Sequence, residues 1–213
     1  MNRLLLFILL FLAAGANAQE REMEIWNLNQ VTVHPVHNIS LKVSEKLHYS
    51  TTRSDLQLKY AELKLGHHPK KWMEYGGAYR LTSVLLTENT WETENRVMLF
   101  FDVREPVKKF TLSFANRIEY RDFKHFDDHF RHRQSLKVDF PSLVNWGMRF
   151  YITEESFCKF NADNIHLARI YTGITVLDKK HLNVSTYYAL QKTKLRKHWY
   201  SSDVVGLNLN FLI

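Results

Sequence analysis

The chain is poor in cysteine, glycine and proline, and each shortage excludes a class of structure. Cys158 is the only cysteine in 213 residues, which excludes an intramolecular disulfide. Seven glycines and four prolines leave no linker, no low-complexity stretch and no obvious domain boundary. The length therefore suits a single domain, or one closed barrel.

An apolar run long enough to cross a bilayer as a helix is also missing. The most apolar run, Leu4 to Ala14, falls short of the ~20 residues that a membrane-spanning helix needs. Arg3 precedes this run, and Ala16-Asn17-Ala18 follows it as a small-x-small cleavage site, a pattern typical of secretory leaders. We therefore predict that residues 1–18 are a signal peptide that is removed.

Clusters that would indicate a metal, a cofactor or nucleic acid are missing as well. The spacing of His125, His129 and His132 resembles a metal site only on a helix, and their sequence context alternates like a strand. We predict no metal and no cofactor. The formal charge of +7 is spread along an exported chain, which argues against nucleic acid and favours an anionic membrane surface or a basic lumen.

Alternation of apolar and polar residues is what the chain has in abundance. From Ile39 to Tyr49 every odd position is apolar except Glu45, and from Phe110 to Arg121 the even positions are mostly apolar. We delimit eleven such extended segments between residues 22 and 213, and no convincing amphipathic helix. The pattern predicts an all-β chain whose strands have one oily and one wet face.

The length and composition of these strands favour a bilayer. Many segments reach ten residues, which fits membrane strands of ~9 to 11 residues better than soluble strands of ~5 to 6. Their oily faces are rich in aromatic residues, and their wet faces carry charges at mid-strand. We predict a transmembrane antiparallel up-and-down β-barrel. Aromatic girdles at the membrane interfaces are expected to include Trp26, Trp72, Trp91, Trp146 and Trp199.

The last segment predicts how the barrel closes. An open edge in lipid leaves backbone groups unsatisfied, so the final strand must pair. We expect it to close the barrel with its apolar residues toward lipid, and Asn208 and Asn210 toward the lumen. Those apolar residues are Val205, Leu207, Leu209, Phe211 and Ile213. Because single-chain bacterial barrels have even strand numbers, we predict about ten strands over residues 38–213, with twelve as the alternative. Residues 19–37 would form an N-terminal extension or part of the first strand.

Several short motifs on the wet faces occur in a familiar order. They are Trp26, Glu94-x-Arg96, Arg117-Ile118-Glu119-Tyr120-Arg121, Arg131-x-Arg133, the stretch YITEESF from Tyr151 to Phe157, and Arg169-Ile170-Tyr171-Thr172-Gly173. In this order the chain resembles, over nearly its whole mature length, the family catalogued as domain of unknown function 2490. The resemblance implies a barrel in the outer membrane of a Gram-negative bacterium. It implies no activity, because the family has none assigned.

Ten charged residues on the wet faces form the candidate site. They are Glu94, Arg96, Arg117, Glu119, Arg121, Arg131, Arg133, Arg149, Glu155 and Arg169. If they face the lumen, neighbouring strands place opposite charges side by side, which stabilises the sheet. One interpretation is a salt-bridged, structural lumen, because buried charges need partners. Another is a narrow pore or binding protein for small polar or anionic molecules.

Two further hypotheses stay open. A membrane-embedded lipid hydrolase could use a serine and a histidine. Ser50, Ser113, Ser185, His48 and His166 supply the residue types, but no spacing singles out a base and its orienting group. A soluble periplasmic lipocalin-like carrier would turn its oily faces inward. For the membrane barrel, the expected partners are outer-membrane lipid, lipopolysaccharide and the outer-membrane assembly machinery.

Overall fold

Eleven strands make up the fold in a computed structural model that describes residues 21–87, 90–160, 165–195 and 198–213. The predicted signal peptide, residues 1–18, lies outside the described residues. The strands are β1 (Glu22–Val36), β2 (Ile39–Ser50), β3 (Asp55–Lys70), β4 (Met73–Thr87), β5 (Thr90–Val107), β6 (Phe110–Phe123), β7 (His129–Asp139), β8 (Arg149–Lys159), β9 (Ile165–Lys179), β10 (Leu182–Leu195) and β11 (His198–Leu212).

The strands close into one barrel, which confirms the predicted fold class. Each strand pairs antiparallel with its neighbours in sequence, and β1 and β11 pair parallel, from Glu22 beside Ser202 to Thr32 beside Leu212. The strand number is therefore eleven, between the predicted ten and twelve. The even-number rule fails here because it presumes antiparallel closure, whereas residues 22–36 form a full strand that closes the barrel in parallel.

The two faces of the sheet differ sharply in polarity. Apolar side chains on the outer face are exposed, as with Leu99 at 66% and Ile170 at 55%, while charged side chains such as Glu94 and Glu119 are fully buried inside. A lipocalin-like carrier requires the opposite arrangement, so the structure contradicts that hypothesis. Among the described residues, no helix is long and apolar enough to cross a membrane.

Aromatic residues and glycines alternate along one row across five strands. Tyr151, Gly173, Tyr187, Gly206 and Trp26 are successive register partners from β8 to β1. Each glycine lies under a tyrosine ring, since a Cβ at Gly206 would be 2.0 Å from Cζ of Tyr187 and one at Gly173 would be 2.3 Å from Cζ of Tyr151. The absent side chains let the rings lie flat along the barrel wall.

We expect Gly206→Ala to lower the free energy of unfolding by about 1–3 kcal/mol, because its methyl group overlaps the buried Tyr187 ring. Gly77→Ala is the matched control, since a Cβ there meets nothing nearer than the Met98 carbonyl oxygen at 3.6 Å. Urea unfolding in lipid vesicles, followed by tryptophan fluorescence, measures both changes. Equal effects of the two substitutions would contradict the packing described for Tyr187.

The closing strand has partners on both sides up to its last residues. The backbone N–H of Leu212 donates to the His181 carbonyl at 3.0 Å, and that of Ile213 donates to the Thr32 carbonyl at 2.9 Å. Val205, Leu207, Phe211 and Ile213 are exposed on the outer face, with Leu209 half-buried beside them. Asn210 accepts hydrogen bonds from Gln30 and Thr32 of β1. Polar side chains on the inner face therefore connect β1 and β11 along their parallel pairing, the parallel seam of the barrel.

Candidate functional site in the lumen

All ten predicted site residues lie on the lumen face of five consecutive strands, β5 to β9. Glu94 is the clearest centre among them. Its carboxylate accepts two hydrogen bonds from the guanidinium of Arg96, at 2.7 and 2.9 Å, and two from Arg121, at 2.7 and 2.8 Å. Two arginine forks therefore share one fully buried carboxylate, a strong form of charge-assisted pairing.

Glu119 and Glu155 organise the other predicted arginines. Glu119 accepts from Arg131 at 2.9 and 2.5 Å and lies 3.4 Å from Arg96. Glu155 is paired with Arg133, accepts from the Tyr171 hydroxyl at 2.9 Å, and lies 3.6 Å from Arg169. The predicted cluster is thus a connected network.

The remaining two predicted arginines bind carboxylates outside the predicted set. Arg117 lies 3.6 Å from Glu62, and Arg149 donates to Asp178 at 2.7 Å. Glu62 is also paired with Arg80 of β4. Sequence reasoning missed Glu62 and Arg80 because their strands alternate weakly, with Leu58 and Val84 also facing inward.

A cavity of about 430 Å³ lies inside the barrel, and side chains from all eleven strands line it. On β8 the lining residues run from Arg149 to Phe157, eight steps or about 27 Å along the strand. One lining residue, Glu155, is a carboxylate. Nine are cations: Lys46, Arg80, Arg96, Arg121, Arg131, Arg133, Lys137, Arg149 and Arg169.

This imbalance has a structural cause. Glu62, Glu94, Glu119 and Asp139 hold several of the lining cations but are not part of the cavity surface. The carboxylates therefore sit behind the guanidinium and ammonium groups, which present their positive charge to the cavity. Fixed charges of one sign in a low-dielectric channel focus the field on ions of the opposite sign.

Trp26 lies in the lumen and not in an aromatic girdle, so the prediction for this residue is wrong. Its side chain is 1% exposed, and its indole N–H donates to Glu24 at 2.7 Å. The ring of His48 stacks on it at 4.0 Å, and Lys46 Nζ lies 3.9 Å from its centroid. Gly206, its register partner, is covered by the ring of Tyr187, the aromatic residue on its other side in the row. That glycine in an alternating strand was the sequence signal for an inward aromatic residue.

The three histidines with metal-like spacing point in different directions. His125 lies beyond the end of β6, where its Nδ1 donates to the Glu92 carboxylate at 2.7 Å, whereas the ring of His129 stacks on Phe123. His132 lies on the outer face, with its Nε2 3.1 Å from the side-chain oxygen of Asn116. Among the described residues, no three His, Cys, Asp or Glu side chains come together as a metal site.

The outer wall carries a polar cluster on β6 to β8. His132 hydrogen-bonds Asn116 at 3.1 Å, and Gln134 donates to Ser156 at 3.0 Å. Within the described part of the chain, no serine hydroxyl hydrogen-bonds His132. The serines that supplied the residue type for a hydrolase, Ser50, Ser113 and Ser185, have lumen-facing register positions, as does His48.

The comparison with protein families fits this arrangement. A family described as protein of unknown function (DUF2490) matches residues 23–202. The chain belongs to this family. No curated protein and no solved structure matches the chain.

The DUF2490 match covers the whole charged network. It begins one residue inside β1 and ends at Ser202 in β11, so it includes Trp26 and all ten predicted site residues. The resemblance read from short motifs is therefore confirmed. In this DUF2490 protein those motifs lie on the lumen face of the barrel, where Glu94, Glu119 and Glu155 join the motifs of neighbouring strands through ion pairs.

Proposed function

We propose that this protein is an outer-membrane barrel whose lumen conducts small anions. The observation that carries the proposal is the cavity surface, with nine cationic side chains and one carboxylate. Rings of arginine and lysine are a general means of selecting anions in pores. The hydrogen-bonded carboxylates behind them keep these cations in fixed positions, which also gives the network its structural role.

Location in the outer membrane is supported by the outer face of the barrel. Every strand has between 11 and 18 residues, long enough to cross a bilayer. Exposed Phe110, Phe150 and Phe211 lie toward one rim, and exposed Tyr120 and Phe130 toward the other. Two aromatic belts enclosing an apolar band are the usual pattern for such a barrel. Lipid, lipopolysaccharide and the assembly machinery remain its proposed partners.

Planar-bilayer recording tests the conduction. In a potassium chloride gradient we expect single channels whose reversal potential reports a preference for chloride over potassium. The double variant Lys137→Gln, Arg149→Gln should lower that permeability ratio by at least about threefold. It removes two lining cations and leaves Asp139, which lies 2.9 Å from Lys137 and 3.6 Å from Arg149, without either partner.

Lys192→Gln is the matched control, because it removes one positive charge from an exposed residue on the outer face of β10. Its selectivity should equal that of the parent. A parent that does not conduct, or that prefers potassium, would refute the proposed function. A parent found soluble without detergent would refute the membrane location.

A further inference from the structure

One lysine in the lumen has no carboxylate partner. Lys46 lies mid-way along β2 and lines the cavity, and within the described ranges its Nζ makes neither an ion pair nor a hydrogen bond. Its Nζ lies over the face of Trp26, 3.9 Å from the ring centroid. By contrast Lys42, Lys64 and Lys137 of the same lumen each bind a carboxylate at 2.9 Å. An ammonium group without a counter-charge inside a barrel wall favours an anionic ligand.

His48 offers a second unused polar atom beside Lys46. Its ring is stacked on Trp26, with Nδ1 3.9 Å from the Glu24 carboxylate. The opposite nitrogen, Nε2, is buried and has no hydrogen-bond partner in the described structure. His48 also lines the cavity and is 9% exposed. Buried polar atoms are nearly always hydrogen-bonded, so this nitrogen indicates a ligand that supplies the missing partner.

The guanidinium of Arg169 lies beside the same Trp26 ring as Lys46 and His48. Its Cζ lies 4.8 Å from the Trp26 ring and 5.0 Å from the Phe157 ring, which also carries Arg133 at 5.4 Å. Arg169 donates a hydrogen bond from Nε to Gln191 at 2.7 Å. Its Nη1 lies 3.6 Å from Glu155, beyond hydrogen-bond distance, so the outer nitrogens make no hydrogen bond in the described structure. Lys46, Arg133 and Arg169 contribute three positive charges against the two negative charges of Glu155 and Glu24, a surplus of one.

We propose that Lys46, His48 and Arg169 form a binding subsite for a phosphate-type dianion, either inorganic phosphate or the phosphate head of a small phosphomonoester. Its negative charge suits the positive surplus, and its several oxygens can accept from the ammonium, the guanidinium and the imidazole together. The cavity volume suits a small molecule. The subsite deepens the proposed function, since it lies in the same anion-accepting lumen.

Titration calorimetry on the full barrel in detergent tests the subsite, with inorganic phosphate, glycerol phosphate and acetate as ligands. We expect saturable binding of phosphate, and Lys46→Met should weaken it by about tenfold or more. Lys42→Met removes a lysine of the same strand that binds Glu74 at 2.9 Å and lies outside the cavity lining, so it is the matched control and should stay close to the parent. His48→Phe keeps the stack on Trp26, removes Nε2 and should weaken binding by several-fold.

The order of the ligand affinities identifies what the subsite binds. Phosphate bound more tightly than glycerol phosphate assigns it to the free ion, and the reverse order assigns it to a phosphomonoester. Three results would overturn the subsite: acetate bound as tightly as both phosphates, no saturable binding, or equal losses of affinity in Lys46→Met and Lys42→Met. If Lys46→Met does not fold, unchanged phosphate binding in His48→Phe would overturn the subsite instead. A parent that conducts chloride but binds no phosphate refutes the subsite alone, and one that binds phosphate without conducting refutes only the pore.

Discussion

Glu94→Gln is expected to lower the free energy of unfolding by about 3–5 kcal/mol, the usual cost of removing one partner from a buried ion pair. The carboxylate is fully buried and receives four hydrogen bonds from Arg96 and Arg121. Glutamine has the same shape but no charge, and its amide N–H groups face guanidinium donors. Two arginines would then remain in the barrel wall with a neutral neighbour.

Urea unfolding in lipid vesicles measures this effect, and Glu105→Gln is its control. Glu105 lies near the end of β5, is exposed and has no ion pair in the described structure, so its substitution should change the free energy of unfolding by less than about 0.5 kcal/mol. Adding Arg121→Met to Glu94→Gln should restore part of the loss, because it removes one of the unpaired charges. Similar stability of the two single variants would contradict the central role of Glu94.

Deleting residues 211–213 is expected to abolish the closed barrel. Phe211 is the register partner of both Val31 on β1 and Leu182 on β10. Leu212 and Ile213 hold the last backbone hydrogen bonds on these two sides. The deletion shortens both seams at the point of closure, and unpaired backbone groups in lipid cost several kcal/mol each.

Membrane fractionation and the heat-dependent shift of the folded barrel on gels measure the result. We expect the truncated chain to be missing from the outer-membrane fraction and to run as unfolded protein without heating. Phe211→Leu is the control, because it keeps every backbone hydrogen bond and an apolar outer face, and it should insert. Normal insertion of the truncated chain would contradict the closing role of these residues.

The alternation of the sequence was sufficient to predict the barrel and the face of its charges. A strand's side chains change sides at every residue, so the placement of Glu94, Arg96, Glu119 and Arg121 on one face followed once their segments were identified as strands. The sequence did not indicate which charged side chains pair between strands. The contact of Arg117 with Glu62 joins β6 to β3 across the lumen, and such a contact depends on barrel closure.

Three features depended on information that no local pattern holds. The parallel seam has Trp26 beside Gly206, 180 positions away in sequence, and neither segment indicates the direction of its partner. The exclusion of four carboxylates from the cavity surface depends on how side chains fill a curved wall. Lys46 has no partner because the carboxylates of the lumen pair with other cations. The alternation of its own strand showed only that it faces inward.

The parallel seam also determines where the two ends of the barrel sequence stand. Because β1 and β11 run in the same direction, Glu22 lies at one rim and Leu212 at the other. An antiparallel seam would bring both ends to a single rim. Across a bilayer, this topology assigns the two ends to different compartments, so a domain joined ahead of β1 and one joined behind β11 would work on opposite sides of the same membrane.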